Sequence, residues 1–146
     1  MALPNSYIGG LMSVSAAVPA TIDSTGFGAL AWTLVGKIVQ IGPVGDTTDN
    51  ISVPLLSGRV WHLNGAADGG EISFSYVYDT APDSGQVIIV NNANSQINCS
   101  VKIVDPDSKI SYFYGLFANL QDMERSNGNY KGLTGVIRVN SPTIRA

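Results

Sequence analysis

The sequence predicts a mainly β fold, a sandwich or barrel with room for one helix. Residues 69–80, GGEISFSYVYDT, alternate apolar and polar side chains, as a strand with one covered face does. Residues 96–104, QINCSVKIV, alternate in the same way. Turns rich in Gly, Pro, Asp and Asn, such as DPDSK at 105–109, separate these segments. Together these observations indicate short strands joined by turns.

The composition indicates one domain that is poor in charge. The chain has 146 residues, enough to bury a core without disulfides or metals. Charged residues make up 13% of it, about half of the ~25% that soluble domains carry. A globular chain with so little charge is expected to bury surface against other copies of itself. The net charge of −3, with no basic run, argues against a protein that grips nucleic acid.

The first part of the chain is predicted to be an arm, a strand and a hairpin. Residues 1–29 are rich in small residues and show no sustained period, which predicts an N-terminal arm that a partner surface orders. Residues 30–41, LAWTLVGKIVQI, are apolar on both sides and predict a strand covered on both faces. Residues 42–64 hold a turn-rich loop and two extended pieces broken by Pro54 and Gly58, and predict a projecting loop or hairpin.

In the later part of the chain, residues 70–79 are predicted to be a strand and residues 81–95 are ambiguous. Residues 96–104 and 110–118 are predicted to form a hairpin. A last strand at 133–141 and a C-terminal tail at 142–146 follow. The ambiguous piece, APDSGQVIIVNNANS, has the length of a helix and a capping residue in Asp83 or Ser84, but VIIV favours a strand. Its composition is equally compatible with both. The sandwich domain as a whole is predicted to span 30–141.

No residue pattern points to catalysis, a cofactor or a metal. His62 is the only histidine, so it cannot belong to a multi-histidine metal site, and its ring is expected to be satisfied locally. Asp46 and Asp49 do not follow the calcium-loop pattern and are expected to shape a turn. Cys99, the only cysteine, lies on the apolar side of its strand and is expected in the core.

The N-terminus and the apolar segments bear on where the chain is made. The first basic residue is Lys37, so the charged start of a signal peptide is missing. Apolar runs in the sequence are all shorter than the ~20 residues of a membrane-spanning helix. We therefore expect a protein without a membrane span that is made in the cytoplasm.

Five segments follow one another in a distinctive order: LAWTLVGKIVQIGPVG, DNISVPLLSG, GEISFSYVYD, GQVII and LTGVIRVNS. In that order, over roughly residues 30–141, they resemble the major tail tube proteins of long-tailed, non-contractile bacteriophages, within the superfamily of phage tail tubes and type VI secretion tubes. The resemblance implies a β-sandwich flanked by a helix, and so favours a helix near Ser84–Asn94. It also implies stacked, hexameric rings in which neighbouring copies complete one continuous inner β-barrel.

The resemblance implies two sets of contact residues. The lumen candidates, on the polar side of 70–79, would repel DNA phosphates through their carboxylates, and they are Glu71, Ser73, Ser75 and Asp79. The alternative is that this side is plain outer surface. The arm and the hairpin are the expected connectors between copies and rings, with the candidates Tyr7, Ile8, Leu11, Pro43, Val44, Asp46, Asp49, Pro54, Leu55, Leu56 and Arg59.

The function implied by the resemblance is that of a structural, non-enzymatic subunit of a phage tail tube. Such a subunit lies in the tail of the virion, contacts itself, a tape-measure protein and tail-end proteins, and lets double-stranded DNA pass without binding it. One alternative is a type VI secretion subunit or another phage-derived tube subunit. Another, from a different class, is a carbohydrate-binding β-sandwich that stacks sugars on Trp61 or on Tyr112 and Tyr114.

Overall fold

The fold is mainly β, with one long helix beside the sheet, as predicted. A computed structural model of the chain describes residues 6–78, 81 and 83–146. Numbered along the chain, the elements are β1 Leu11–Ser15, α1 Ser24–Gly28, β2 Thr33–Val35, β3 Ile38–Ile41, β4 Thr47–Pro54, β5 Val60–Asp68, β6 Glu71–Val77, α2 Ser84–Ser95, β7 Cys99–Val104, β8 Ile110–Asp122, β9 Gly132–Val139 and β10 Ile144–Arg145.

One eight-stranded antiparallel sheet folds over on itself to make the sandwich. Its order is β2-β1-β7-β8-β9-β6-β3, and β10 pairs with the first residues of β8. β2 and β3 lie at opposite ends of this order, yet only Gly36 and Lys37 separate them in the chain. The prediction of a single strand over 30–41 is therefore wrong. The backbone turns at Lys37, whose φ of 57° is left-handed, and the segment supplies both ends of the sheet.

The core lies inside the folded sheet and under α2. β6 alternates as predicted, since Ile72, Phe74 and Tyr76 are at most 3% exposed. Cys99 of β7 is fully buried, as predicted, and burial raises the pKa of its thiol to about 12. The buried core consists of Met12, Val14, Val35, Ile72, Phe74, Tyr76, Ile89, Cys99, Val101, Ile103, Phe113, Phe117, Leu133 and Ile137.

The start of α2 closes the seam where the two ends of the sheet meet. The Asp83 carboxylate accepts a hydrogen bond from the Gly36 N–H at 2.8 Å. The buried side chain of Gln86 donates its amide to the carbonyl oxygens of Gly36, at 3.1 Å, and Val77, at 3.0 Å. One glutamine therefore satisfies carbonyls just after β2 and at the end of β6, beside the hydrogen bond that the Val77 N–H donates to the Lys37 carbonyl at 3.0 Å.

Helix α2 confirms the helix that the resemblance favours at 84–94. Gly85 lets it approach the sheet, because a Cβ at this position would lie 2.5 Å from the carbonyl oxygen of Leu34. Ile89 anchors the middle of the helix in the core. In the described part of the chain, no helix combines the length and the apolar character that a membrane crossing needs.

Both chain ends contribute to the sheet more than predicted. Leu11–Ser15, predicted to belong to the N-terminal arm, is β1 and lies between β2 and β7. Met12 and Val14 are fully buried. The arm prediction is wrong for this segment because its short alternation, with Ser13 and Ser15 on the other side, is hidden among small residues. Residues Ile144–Arg145, predicted as tail, extend the sheet as β10.

Candidate functional site

Strands β4 and β5 form a hairpin that, among the described residues, pairs only with itself. The register places Ile51 opposite Leu63 and Val53 opposite Trp61, so these four side chains share one side, which we call the apolar hairpin face. They are 37–58% exposed. An isolated two-stranded hairpin is marginal in water. A partner that covers the apolar hairpin face would therefore stabilise the hairpin.

The opposite side of the hairpin is polar and internally satisfied. The Asn50 side chain bonds the ring of His62 across the strands at 3.2 Å and donates to the Ser52 hydroxyl, also at 3.2 Å. His62 is thus a locally satisfied surface histidine, as the sequence indicates. The predicted hairpin is present, but its paired strands and turn run over 47–68 rather than 42–64.

Most of the predicted contact residues lie at the surface. The exposed ones are Tyr7, Ile8, Leu11, Pro43, Asp46, Asp49, Pro54, Leu56 and Arg59. Leu56 stands fully exposed at the hairpin turn, and Tyr7 and Ile8 are 83% and 87% exposed. Val44 differs because it packs against the core, and Leu55 is half-buried within the turn. Their contacts with other copies stay a prediction.

The outer side of β6 carries the predicted lumen residues, and it is less uniformly wet than expected. Glu71 and Ser73 are exposed, whereas Ser75 is only 6% exposed. Ser75 lies between Gln40 of β3 and Thr134 of β9 in the sheet. Asp79 lies outside the described residues. Of the described candidates, Glu71 and Ser73 are therefore exposed and Ser75 is buried.

Arg138 is a residue of this face that the sequence reasoning missed. It lies directly opposite Glu71 in the β6–β9 pair, and its Nε is 3.1 Å from the Glu71 carboxylate. Both side chains are about half exposed. The positive charge of Arg138 cancels the negative charge of Glu71, so the repulsion between this carboxylate and phosphates is compensated. The register of β6 on β9 is the signal that would have revealed it.

A polar cluster lies past the end of β6 and at the end of β8. The Tyr78 hydroxyl donates to the Asp122 carboxylate at 2.6 Å, and Arg125 donates to its other oxygen at 3.0 Å. These two hydrogen bonds lower the pKa of Asp122. Partial burial, and then the bond to Asp122, raise the pKa of Tyr78 to about 12. The tyrosine is thus held protonated, which suits a structural clamp rather than a general base.

The described residues form neither a metal site nor a sugar-stacking platform around Tyr112. No group of three or more His, Cys, Asp or Glu side chains is placed to hold a metal ion there. The rings proposed for sugar stacking do not form a platform, because Tyr112 is 7% exposed under Phe27, which stacks on it at 5.3 Å. Trp32 covers it from another side, at 5.9 Å. Trp61 is exposed, but it belongs to the apolar hairpin face.

Comparison with known proteins identifies the fold. No family model and no curated protein sequence matches the chain. A chain of the cryo-EM structure of an extracellular contractile injection system, the PVC sheath/tube terminator in its extended state, aligns with a TM-score of 0.66 at 7% identity, over 99% of this chain and 98% of that one.

Two further solved structures share the fold. A chain of the 6-fold symmetrised baseplate of the anti-feeding prophage aligns with a TM-score of 0.64 at 10% identity, over 100% of this chain and 97% of that one. A chain of the phage p2 baseplate, in its activated conformation with Sr, aligns with a TM-score of 0.62 at 12% identity, over 92% of this chain and 45% of that one. At such identities the likeness is one of fold.

Proposed function

We propose that this protein is a structural, non-enzymatic subunit of a phage tail or a phage-tail-like injection particle, and that it works as a homo-oligomeric ring. The observation that carries the proposal is the match along almost the whole of both chains to parts of a tube terminator and a baseplate. Fold alone does not fix function. The surfaces of this chain supply the second, independent argument.

Those surfaces favour assembly. The apolar hairpin face needs a partner, and the charge-poor composition supports burial between copies. β2 and β3, at the ends of the sheet order, each have one neighbouring strand in the described residues. Open sheet edges pair with another chain unless something blocks them. A ring in which each copy completes its neighbour's sheet, as the resemblance implies, would use both features.

The proposal has two versions, which differ in the position of the subunit within the tail. In a tube, the rings would stack into a conduit for double-stranded DNA, with Glu71 and Ser73 as lumen candidates and a tape-measure protein as partner. In a terminator or a baseplate, a ring of the same fold would close or begin such a tube. Contractile injection particles and type VI secretion tubes remain alternatives to the non-contractile tail of the sequence prediction, with protein as the cargo.

Electron microscopy of the purified full chain tests the proposal and ranks its versions. Negative-stain images at increasing protein concentration, paired with sedimentation velocity, should show hollow rings. Rings that stack into long tubes would favour the tube subunit, because stacking through two different faces is open-ended. Rings that stay single or pair would favour a terminator or baseplate position. A strictly monomeric species at every concentration would overturn the proposal.

A further inference from the structure

A row of neutral polar side chains crosses four strands of the sheet on its outer side. The register places Gln40 of β3 opposite Ser75 of β6, Ser75 opposite Thr134 of β9, and Thr134 opposite Gln121 of β8. The order along the row is amide, hydroxyl, hydroxyl, amide. With strands ~4.8 Å apart, the row is about 14 Å long. We call it the amide row.

Two β-bulges build the ends of the amide row. In β3 the register shifts between Ile38 and Gln40, and in β8 it shifts between Ala118 and Gln121. Ile38 and Phe117 face the core, so uninterrupted alternation would turn both glutamines inward. Each bulge instead turns its glutamine to the outer side. Bulges re-aim side chains and are enriched at functional sites, and here two separate bulges aim two amides at one row.

The β8 bulge has a visible backbone and packing signature. Asn119 has a φ of 54°, in the left-handed region, and Leu120 packs against the core. Leu120 takes the inward place that alternation would give to its neighbours, which leaves Gln121 free to point outward. The core is thus kept apolar while an amide is placed on the surface.

The amide row lines a groove of about 380 Å³. Ser73 and Asn119 add further neutral polar groups, and Met123 and Tyr130 add apolar surface. Among the described residues that line the groove, none is charged. Amides and hydroxyls both donate and accept hydrogen bonds, and a tyrosine ring can stack on the apolar side of a sugar ring. These groups suit a ligand that is neutral and rich in hydroxyls.

We propose that this groove is a binding site for a neutral oligosaccharide. A charged ligand would lose hydration there without gaining an opposite charge. An extended peptide would be bound through backbone groups of an edge strand, whereas this row offers side chains and runs across the strands. The site is separate from Trp61, Tyr112 and Tyr114. The groove is open to solvent on this side of the sheet, so the inference does not rest on the proposed function.

The experiment titrates the protein with maltotriose, cellotriose and triacetylchitotriose, and amide chemical shifts report the binding. Charged sialyllactose and an uncharged Gly-Ser peptide are the comparison probes. We expect at least one neutral trisaccharide to shift resonances of 73–75 and 134–136. Thr134→Val removes one hydroxyl at nearly constant shape and should weaken that binding about ten-fold. The matched control, Thr48→Val on the hairpin, should leave the affinity unchanged.

Three outcomes would overturn the proposal. In the first, none of the neutral sugars shifts the groove resonances. In the second, Thr134→Val binds as tightly as the unmodified protein. In the third, the peptide or the sialylated sugar binds the groove in place of the neutral sugars. None of these outcomes changes the expectation that the protein forms rings.

Discussion

The folded sheet and the hairpin follow the same alternating pattern, yet only the sheet covers its apolar side within one copy of the chain. In β6, Phe74 and Tyr76 are 3% and 0% exposed, whereas in the hairpin Trp61 and Leu63 are 58% and 51% exposed. Alternation therefore tells which side chains share a face, because that follows from the geometry of a strand. What covers the face depends on the rest of the molecule or on another molecule.

The two regions should therefore respond differently to mutation. Stability of the single chain comes from the sheet, where apolar burial is complete. The hairpin adds little to it, since its side chains remain in water. If the hairpin serves assembly, as we propose, its substitutions should change association and leave the folding free energy almost untouched.

The largest expected effect on folding comes from matched aromatic truncations in the two regions. Phe113→Ala removes a fully buried ring and should lower the free energy of unfolding by about 3–5 kcal/mol. Trp61→Ala removes an exposed hairpin ring and should change it by no more than about 0.5 kcal/mol. Urea denaturation of both variants measures the difference. Equal losses would mean that the hairpin packs on the body in solution and stabilises the single chain as much as the core of the sheet does.

The next effect concerns the seam of the sheet. Gln86→Leu keeps the size of a side chain that is 7% exposed but leaves the carbonyls of Gly36 and Val77 without their donor. Unsatisfied buried groups should lower the free energy of unfolding by about 1–3 kcal/mol. Asn91→Leu, at an exposed position of the same helix, is the control and should be nearly neutral. A stable Gln86→Leu variant would show that the seam does not depend on this bridge.

The sequence predicted the fold class well because alternation and turn residues are local signals. The faces of β6 and β7 and the core position of Cys99 followed from them directly. The amide row did not, because a bulge reverses the sides of a strand, and nothing local in IVQI or ANLQ reveals one. Arg138 was missed because its partner Glu71 is 67 positions away, and β1 was missed because LMSVS is short and rich in serine.

A smaller effect is the loss of folding stability at high pH that the polar cluster beside the end of β6 causes. The pKa of Tyr78 is raised to about 12 in the folded protein, above the ~10 of an unfolded tyrosine. The stabilisation is therefore fully present below about pH 10 and is lost as the pH rises towards 12. Tyr78→Phe should flatten this loss in urea midpoints taken from about pH 9 to 12, because it removes the hydroxyl whose pKa is about 12. Tyr7→Phe, at an 83% exposed site, should not.

The same cluster also makes folding stability depend on low pH, and here stability is lost as the pH falls. Hydrogen bonds lower the pKa of Asp122 in the folded protein. Its contribution is therefore present above the unfolded carboxyl value of ~3.9 and is lost as the pH falls through the folded value. Asp122→Asn should remove this part of the acid dependence. An unchanged acid profile in urea melts would show that the Tyr78–Asp122 bond is not maintained in solution.

The smallest expected effect on folding is also the sharpest test of the hairpin, and it uses two neighbouring residues on opposite sides. Val53 lies on the apolar hairpin face and Ser52 on the polar side, and both are exposed. A lysine at either exposed position should change the free energy of unfolding by no more than about 0.5 kcal/mol.

The two lysine variants should differ in how they associate. Val53→Lys would bury an unpaired charge at a contact between copies and should abolish rings in sedimentation and micrographs, while Ser52→Lys should still form them. Loss of rings in both variants would mean that the whole hairpin, rather than one side of it, takes part in the contact between copies. Rings in both variants would remove the apolar hairpin face from the interface. The open edges of β2 and β3 would then be the surfaces that join the copies.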